Sequence, residues 1–334
     1  MKVLTFGELL LRLSSPGYNK LFQKDYLETS FCGSEANVAV SLSNFGIFSS
    51  FLTKLPDNDI GYAAEKELNY FKVDTSKVIF GDGRMGILYL EKGASQRASK
   101  VIYDRRFSSL AEADKQDFNW DSLLQGFDWF HWSGITPALS QNAFDILLDA
   151  LKTAKKLGIT VSCDINYRHK LWNPKEAQSA MKKLLHYVDV CICNEEDAQL
   201  SLGIDYLDLS SKNERYELIA KSIEKDYGCS IVAFTLRESI SASINGWSAM
   251  LYHSNKFFYS NKYEIQLVDR VGGGDSFAAG LIYALIKKMS EKEAVEFATA
   301  ASCLNQTIEG DFNRVSADDV FLLIETNGNG RIQR

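Results

Sequence analysis

The residues best suited to chemistry lie in one run, Asp269-Arg-Val-Gly-Gly-Gly-Asp275, which directly precedes an apolar helix pattern. Gly272, Gly273 and Gly274 can adopt backbone angles that other residues avoid, so successive N–H groups can converge on phosphate oxygens at a helix N-terminus. Asp275 at the helix start could accept the proton of an attacking hydroxyl, which is the general-base role in phosphoryl transfer. The same run is compatible with a plain helix N-terminus capped by aspartate.

A dinucleotide-binding fingerprint is the main alternative for a glycine-rich turn. That motif follows the first strand of a βαβ unit and has an acidic residue about 20 positions further on. Here the turn lies late in the chain and two helical patterns follow it. The sequence therefore favours a phosphate site over a dehydrogenase.

Strands that alternate with helices make up most of the chain after residue 107. Such alternation indicates parallel βαβ units. The patterns predict strands at 127–132, 159–164, 188–193 and 230–235, and helices at 141–156, 174–186, 195–202, 212–226, 274–288 and 290–306. Residues 239–268 have the pattern of a hairpin-like region.

Short segments of alternating apolar and polar residues interrupt the first part of the chain. They lie before residue 31, at 86–91 and at 100–104, and we expect them to form one small sheet. The remaining early patterns predict strands at 2–6 and 50–54 and helices at 34–45 and 60–71. The expected fold is a three-layer αβα core with a mostly parallel sheet and a small β lid. The core would comprise 1–9, 32–85 and 107–330, and the lid 10–31 and 86–106.

Composition limits the possible partners of this 334-residue chain. Its net charge of −6 argues against a nucleic-acid partner, which would require a basic face. The first residues lack the continuous apolar region of a signal peptide, and no later stretch reaches membrane-spanning length. We therefore expect a cytoplasmic protein with small-molecule ligands and no contact with a membrane.

Cysteine and histidine carry no evident chemistry in this sequence. The six cysteines lie mostly in apolar runs, and we expect them to be reduced core residues. Cys191 and Cys193 lack the second ligand pair that a zinc site needs. His131 has apolar neighbours, and we assign neither His131 nor His169 a role.

The run DRVGGGDSFAAG resembles the C-terminal signature of the ribokinase (PfkB-type) family, whose pattern is Asp-Thr-x-Gly-Ala-Gly-Asp; Arg270 and Gly273 depart from it. CGSEANVAVSLSNFG, residues 32–46, resembles the sugar-binding segment of the same family. By this resemblance Gly33 and Asn37 would contact a sugar. The resemblance covers nearly the whole chain and implies an ATP-dependent sugar kinase that uses Mg²⁺. It leaves open a monovalent cation such as K⁺.

Three further segments, FGELLLRL, SGITPALS and DINYRHKLW, are similar to 2-keto-3-deoxygluconate kinases within that family. This likeness implies a sugar-acid pocket in which two arginines pair with the substrate carboxylate. The implied pocket residues are Tyr89, Tyr103, Arg105, Arg168 and Asp311. A neutral ketose such as fructose is the alternative substrate, and a non-catalytic nucleotide- or sugar-binding protein is the alternative of another class.

The nucleotide side of the implied site matches the family less closely. Asn194-Glu-Glu-Asp197 resembles an Asn-x-x-Glu motif that supports Mg²⁺ through water, and either Asp197 or Glu196 could take the acidic role. Thr235-Leu-Arg-Glu-Ser239 stands where the family has a Gly-x-x-Gly turn. The residues implied to bind nucleotide are Asn194, Thr235, Arg237, Gly272, Gly274 and Asn305. Exposed edges of the lid sheet further predict a homo-oligomer that associates through the lid.

Overall fold

A nine-stranded sheet forms the centre of the molecule. The structure is a computed structural model that describes residues 1–207, 209, 211–326 and 328. The described strands are β1 (Lys2–Phe6), β2 (Leu10–Ser14), β3 (Glu28–Cys32), β4 (Phe48–Leu52), β5 (Lys54–Pro56), β6 (Ile79–Gly81), β7 (Gly86–Glu91), β8 (Lys100–Asp104), β9 (Trp129–Ser133), β10 (Thr160–Asp164), β11 (Val190–Cys193), β12 (Ile231–Ser239), β13 (Ile244–His253), β14 (Lys256–Tyr259) and β15 (Tyr263–Gln266).

The central sheet is mostly parallel, as predicted. Its order is β14-β13-β12-β11-β10-β9-β1-β4, with β15 paired to β13. All pairs from β4 to β12 are parallel, whereas β13 pairs antiparallel with its three neighbours. β9 and β11 are buried along their whole length, which explains their continuous apolar sequences.

Helices cover both faces of this sheet. They are α1 (Ser34–Asn44), α2 (Asp59–Tyr70), α3 (Trp120–Leu123), α4 (Gln141–Lys156), α5 (Pro174–Leu184), α6 (Glu195–Leu202), α7 (Lys212–Tyr227), α8 (Gly273–Ile286), α9 (Glu291–Asn305) and α10 (Ala317–Thr326). Leu147 and Ile219 belong to the same hydrophobic cluster as Phe130 of β9. Phe277 belongs to a second cluster with Trp129, the residue next to Phe130 in that strand. Because adjacent strand residues point to opposite faces, the two clusters lie on the two sides of the sheet. The three-layer αβα core is thereby confirmed.

A second sheet of four strands has the order β3-β2-β7-β8. The pairing β2–β7 is parallel, and β2–β3 and β7–β8 are antiparallel. Leu10, Cys32, Leu88 and Leu90 form its buried face. We refer to these four strands as the small sheet.

Several elements differ from the sequence patterns. The strand predicted at 50–54 is two strands, because β4 ends with its partner β1 at Leu52 and β5 then pairs with β6. β12 continues to Ser239, beyond the predicted end at 235, because β13 pairs with it over its whole length. Helix α10 was not predicted, and only Val320 in it is buried. The last positions of the range 107–330 predicted for the core lie outside the described residues.

The predictions for the cysteines and for His131 and His169 can be compared with the burial of these side chains. All six cysteines are free and buried, as predicted. His131 is fully buried with Nδ1 2.8 Å from Ser162 Oγ, and burial lowers its pKa to about 3, so the ring is neutral. His169 is exposed. None of the described helices combines the length and the apolar character needed to cross a bilayer.

Candidate active site

A cavity of about 340 Å³ lies between the carboxyl ends of the parallel strands and the small sheet. Ligand sites of open α/β sheets form at this edge, because the loops that follow parallel strands meet there. The lining includes Asp164 at the end of β10, Asn194 after β11 and Thr235 in β12. Leu88 and Tyr103 line it from the small sheet.

The glycine turn before α8 forms one wall of this cavity. Gly272 has φ +76°, and a Cβ there would lie 2.4 Å from the carbonyl oxygen of Asp311, so a side chain is excluded. Helix α8 begins at Gly273, and no side chain caps its first turn. A Cβ on Gly274 would meet no atom within 4 Å, so its backbone faces open space. Uncapped N–H groups at the positive end of a helix form an anion site.

Asp275 lies at the start of α8 with both carboxylate oxygens hydrogen-bonded. Ser34 Oγ donates to Oδ1 at 2.6 Å, and Asn37 Nδ2 donates to Oδ2 at 2.6 Å. Burial raises the pKa of Asp275, and the two hydrogen bonds oppose that rise. The carboxylate is thus fixed in direction and kept available as a proton acceptor.

Helix α1 reaches Asp275 because the chain before it passes close to β1. A Cβ on Gly33 would lie 2.3 Å from the carbonyl oxygen of Glu8, so only glycine allows this approach. The N-cap of α1 is Gly33. The Ser34 hydroxyl is free for Asp275 because it does not cap the helix.

Further carboxyl groups line the cavity, and burial raises the pKa of Glu35, Asp164 and Asp197 among them. The pKa of Glu35 is raised to about 7, although Ser133 and Thr136 donate hydrogen bonds to it. The pKa of Asp197 is raised to about 6 and that of Asp164 well above its ordinary value. A cation in the cavity would relieve this clustering of acids.

Asp197 rather than Glu196 faces the cavity. Asp197 accepts hydrogen bonds from the backbone N–H groups of Asn194 at 3.2 Å and Tyr167 at 2.9 Å, which fix its carboxylate. Glu196 is exposed and does not line the cavity. Within the described ranges no three His, Cys, Asp or Glu side chains are close enough to hold a metal ion together. The acids therefore fit a Mg²⁺ ion that keeps its waters and is carried by nucleotide phosphates.

Four arginines line the cavity, and two of them, Arg105 and Arg168, differ in their partners. Arg105 is buried, its Nε donates to Glu8 Oε2 at 2.7 Å, and its guanidinium lies 5.3 Å from the Tyr103 ring. Arg168 is half-buried, and its Nη1 donates to the Tyr167 carbonyl oxygen at 3.1 Å. No ion pair of Arg168 is found among the described residues. Arg105 thus has a carboxylate as its partner, whereas the partner of Arg168 is a backbone carbonyl oxygen.

Most of the predicted site residues lie around this one cavity. They are Gly33, Asn37, Tyr103, Arg105, Arg168, Asn194, Asp197, Thr235, Arg237, Gly272, Gly273, Gly274, Asp275 and Asp311. Tyr89 does not line the cavity. It follows Leu88 in β7 and pairs with Ile102, so its side chain points to the opposite face of the small sheet from Leu88. Asn305 lies behind the glycine turn, where its Nδ2 donates to the Val271 carbonyl oxygen at 3.4 Å.

Sequence reasoning missed several residues of the site. Ser34 and Glu35 lie inside the segment that was compared with the sugar-binding motif, but their side-chain directions were not evident. Asp164 could have been found, because a polar residue at the end of a buried parallel strand is a common site signal. Arg12 and Glu8 gave no such signal, since their partners are distant in sequence.

The chain matches a known family over most of its length. Residues 1–315 match the pfkB family of carbohydrate kinases. The 2-dehydro-3-deoxygalactonokinase of Haloferax volcanii is 31% identical over 319 residues, which cover 96% of this chain and 95% of that protein.

Two solved structures are also similar. The 2-dehydro-3-deoxygluconokinase of Thermotoga maritima has a TM-score of 0.95 and 48% identity, over 97% of this chain and 98% of that one. A PfkB family carbohydrate kinase of Listeria grayi has a TM-score of 0.90 and 35% identity, over 96% and 98%. This chain therefore belongs to the pfkB family of carbohydrate kinases and is a sugar kinase with the ribokinase-like fold.

Proposed function

We propose that this kinase transfers the γ-phosphoryl group of ATP to the terminal hydroxyl of a sugar acid, with 2-keto-3-deoxygluconate as the principal substrate and its 6-phosphate as the product. One observation carries the proposal: the guanidinium groups of Arg105 and Arg168 line the same cavity as Asp275. A substrate carboxylate suits such groups, because charge-assisted pairs with arginine are strong and directional. The names of the Haloferax and Thermotoga relatives support the same substrate class.

The two arginines would contribute unequally to carboxylate binding. Arg105 already pairs with Glu8, so a substrate carboxylate there would share it with a protein carboxylate. Arg168 has a backbone carbonyl partner and could turn toward a ligand. We therefore assign the larger share of carboxylate recognition to Arg168.

The nucleotide side of the proposal depends on the glycine turn and the acids opposite it. ATP, bound with Mg²⁺, supplies the phosphoryl group. The N–H groups of Gly272 and Gly274 would hold phosphate oxygens, and Asp197 would support Mg²⁺ through water. Asn194, Thr235 and Arg237 line the same side of the cavity.

Asp275 is proposed to take the proton of the sugar hydroxyl as that hydroxyl attacks. Its two oxygens are held by Ser34 and Asn37, so its direction is set before the sugar binds. Asn37 could release one of these contacts to bind a sugar hydroxyl, as the resemblance implied. The small sheet would cover the cavity and exclude water from the transfer.

Fructose or another neutral ketose remains the second candidate. The ion pair between Glu8 and Arg105 favours it, because a neutralised arginine leaves less positive charge for a carboxylate. The match to a family of carbohydrate kinases favours an enzyme over a non-catalytic binding protein.

A coupled ADP-release assay with ATP and Mg²⁺ tests the proposal. The panel holds 2-keto-3-deoxygluconate, 2-keto-3-deoxygalactonate, gluconate, fructose, ribose and a control without sugar. We expect the highest kcat/KM for one of the two keto acids. Turnover confined to fructose or ribose would contradict the sugar-acid proposal and leave the kinase assignment intact.

We also propose that copies of this chain associate with one another through the small sheet. Strands β3 and β8 are its edges, and Ile102 on its outer face is 41% exposed. Sedimentation velocity would test it: a dimer or larger species is expected, and a monomer at micromolar concentration would contradict it.

A further inference from the structure

A buried arginine from the small sheet lies behind the glycine turn. Arg12 in β2 is 2% exposed, and its Nη2 donates to Asp269 Oδ2 at 2.6 Å. Its Nη1 pairs with Asp311, and its Nε donates to Ser14 Oγ at 2.8 Å. One guanidinium thus bridges two carboxylates that belong to different loops.

Both of these carboxylates are buried next to the proposed phosphate site. Asp269 is 4% exposed and begins the run that contains the turn, while Asp311 is 7% exposed and its carbonyl oxygen abuts Gly272. Asp269 Oδ2 also accepts a hydrogen bond from the N–H of Gly310 at 3.2 Å, which joins the two loops. Two uncompensated negative charges here would repel each other and any phosphate.

A second cation completes this cluster. Lys92, just beyond β7, lies 3.8 Å from Asp269 Oδ2 and pairs with Glu309. Burial by itself would lower the pKa of Arg12, but Asp311 and Asp269 raise it above its ordinary value. The guanidinium is therefore always charged, and Oδ2 of each carboxylate faces it.

We infer that Arg12 is a positioning residue that acts as the built-in cation of the glycine turn, so that this kinase does not need a monovalent cation such as K⁺. The oxygens of Asp269 and Asp311 do not fit a K⁺ site, because K⁺ among them would meet the guanidinium of Arg12. Arg12 also joins the small sheet to the turn, so sheet position and turn geometry are coupled. The inference rests on the phosphate role proposed for the turn and not on which sugar is phosphorylated.

The first experiment uses the wild-type protein. Initial rates are measured with the best substrate of the panel in choline chloride and in potassium chloride at equal ionic strength, and thermal unfolding is followed in the same buffers. We expect the two rates to agree within about twofold and the unfolding temperatures to coincide. A strict K⁺ requirement for turnover, or marked stabilisation by K⁺ alone, would overturn the inference.

Variants of Arg12 give the second test. In choline, Arg12→Ala should lose activity by about tenfold or more and unfold about 5 °C lower, because two carboxylates lose their partner. Potassium or millimolar guanidinium should restore part of both losses in this variant. Arg12→Lys keeps a charge and should remain independent of K⁺. Arg84→Ala, which removes a more exposed ion pair with Asp104, serves as the matched control and should behave as wild type.

The two readouts separate this inference from the proposed function. Unfolding temperatures need no substrate, so they test the role of Arg12 even if no sugar of the panel is phosphorylated. Wild-type rate and stability for Arg12→Ala in choline would overturn the inference. Losses in Arg12→Ala that neither K⁺ nor guanidinium relieves would show a structural role without a cation function.

Discussion

The two walls of the cavity are built on different principles. On the core side, the groups that we propose to act in the reaction are backbone N–H groups of the Gly272–Asp275 turn and one carboxylate fixed by Ser34 and Asn37. On the side of the small sheet, the charged groups already have partners in the core: Arg12 pairs with Asp269 and Asp311, and Arg105 pairs with Glu8.

This contrast indicates that the two walls have different roles. The core wall holds groups that are available for reaction, while ion pairs hold the small sheet in place. Substitutions in the core wall should therefore lower kcat, and loss of charge recognition should raise KM.

The largest effect is expected from Asp275→Asn. The amide keeps the size of the side chain but cannot accept the proton, so kcat should fall about 10³-fold with KM for the sugar little changed. Steady-state kinetics by ADP release measures both constants. Asp226→Asn, at an exposed position of α7, is the control. Near wild-type kcat for the variant would exclude Asp275 as the base.

Gly272→Ala should lower kcat about 10²-fold. The methyl group would collide with the Asp311 carbonyl at 2.4 Å and strain a residue at φ +76°, which displaces the N–H groups of the turn. Gly158→Ala has a similar φ of +69° with no atom within 4 Å and lies far from the cavity. It should lose about 1 kcal/mol of stability but no activity. Equal kinetics for the two variants would contradict the phosphate role of the turn.

Arg168→Ala should raise KM for the sugar acid about 10- to 100-fold, because one charge-assisted pair is lost. The KM for a neutral ketose should change little. Arg106→Ala, the exposed neighbour of Arg105, is the control and should leave both values unchanged. A rise confined to the KM for ATP would assign Arg168 to the nucleotide and contradict the sugar-acid proposal.

The smallest effect concerns pH. The hydrogen bonds from Asn37 and Ser34 stabilise the charged form of Asp275, so removing either should raise its pKa further. A base is active when deprotonated, so the acid limb of the kcat profile should move to higher pH, by about one unit or less. The profiles of Asn37→Ala and Ser34→Ala measure this shift. A shift to lower pH, or none in either variant, would show that Asp275 does not control that limb.

Local patterns in the sequence were sufficient to predict the backbone elements of the core wall, although not the contacts of Ser34 or the position of Asp164. The turn, the helix after it and the parallel strands each follow from short-range spacing of glycine and apolar residues. The wall on the side of the small sheet could not be predicted in the same way. The partners of Arg12 lie 257 and 299 positions away, and Glu8 lies 97 positions from Arg105. No periodicity connects residues that far apart.

Tyr89 shows how strand register limits such predictions. The sequence pattern correctly placed this residue in a strand, β7, but neighbouring residues in a strand point to opposite faces. Leu88 faces the cavity, so Tyr89 cannot. The face became evident only from the pairing of Leu88 with Tyr103 across β7 and β8.

We expect Asp275 to act in the reaction and not merely to anchor α1 to α8. Isothermal titration of 2-keto-3-deoxygluconate into wild-type and Asp275→Asn protein, with ADP and Mg²⁺ present, distinguishes the two roles. A catalytic role predicts dissociation constants within about threefold of each other, alongside the lost turnover. Loss of sugar binding in the variant would contradict it, because the hydrogen bonds to Ser34 and Asn37 would then be the main role of this carboxylate.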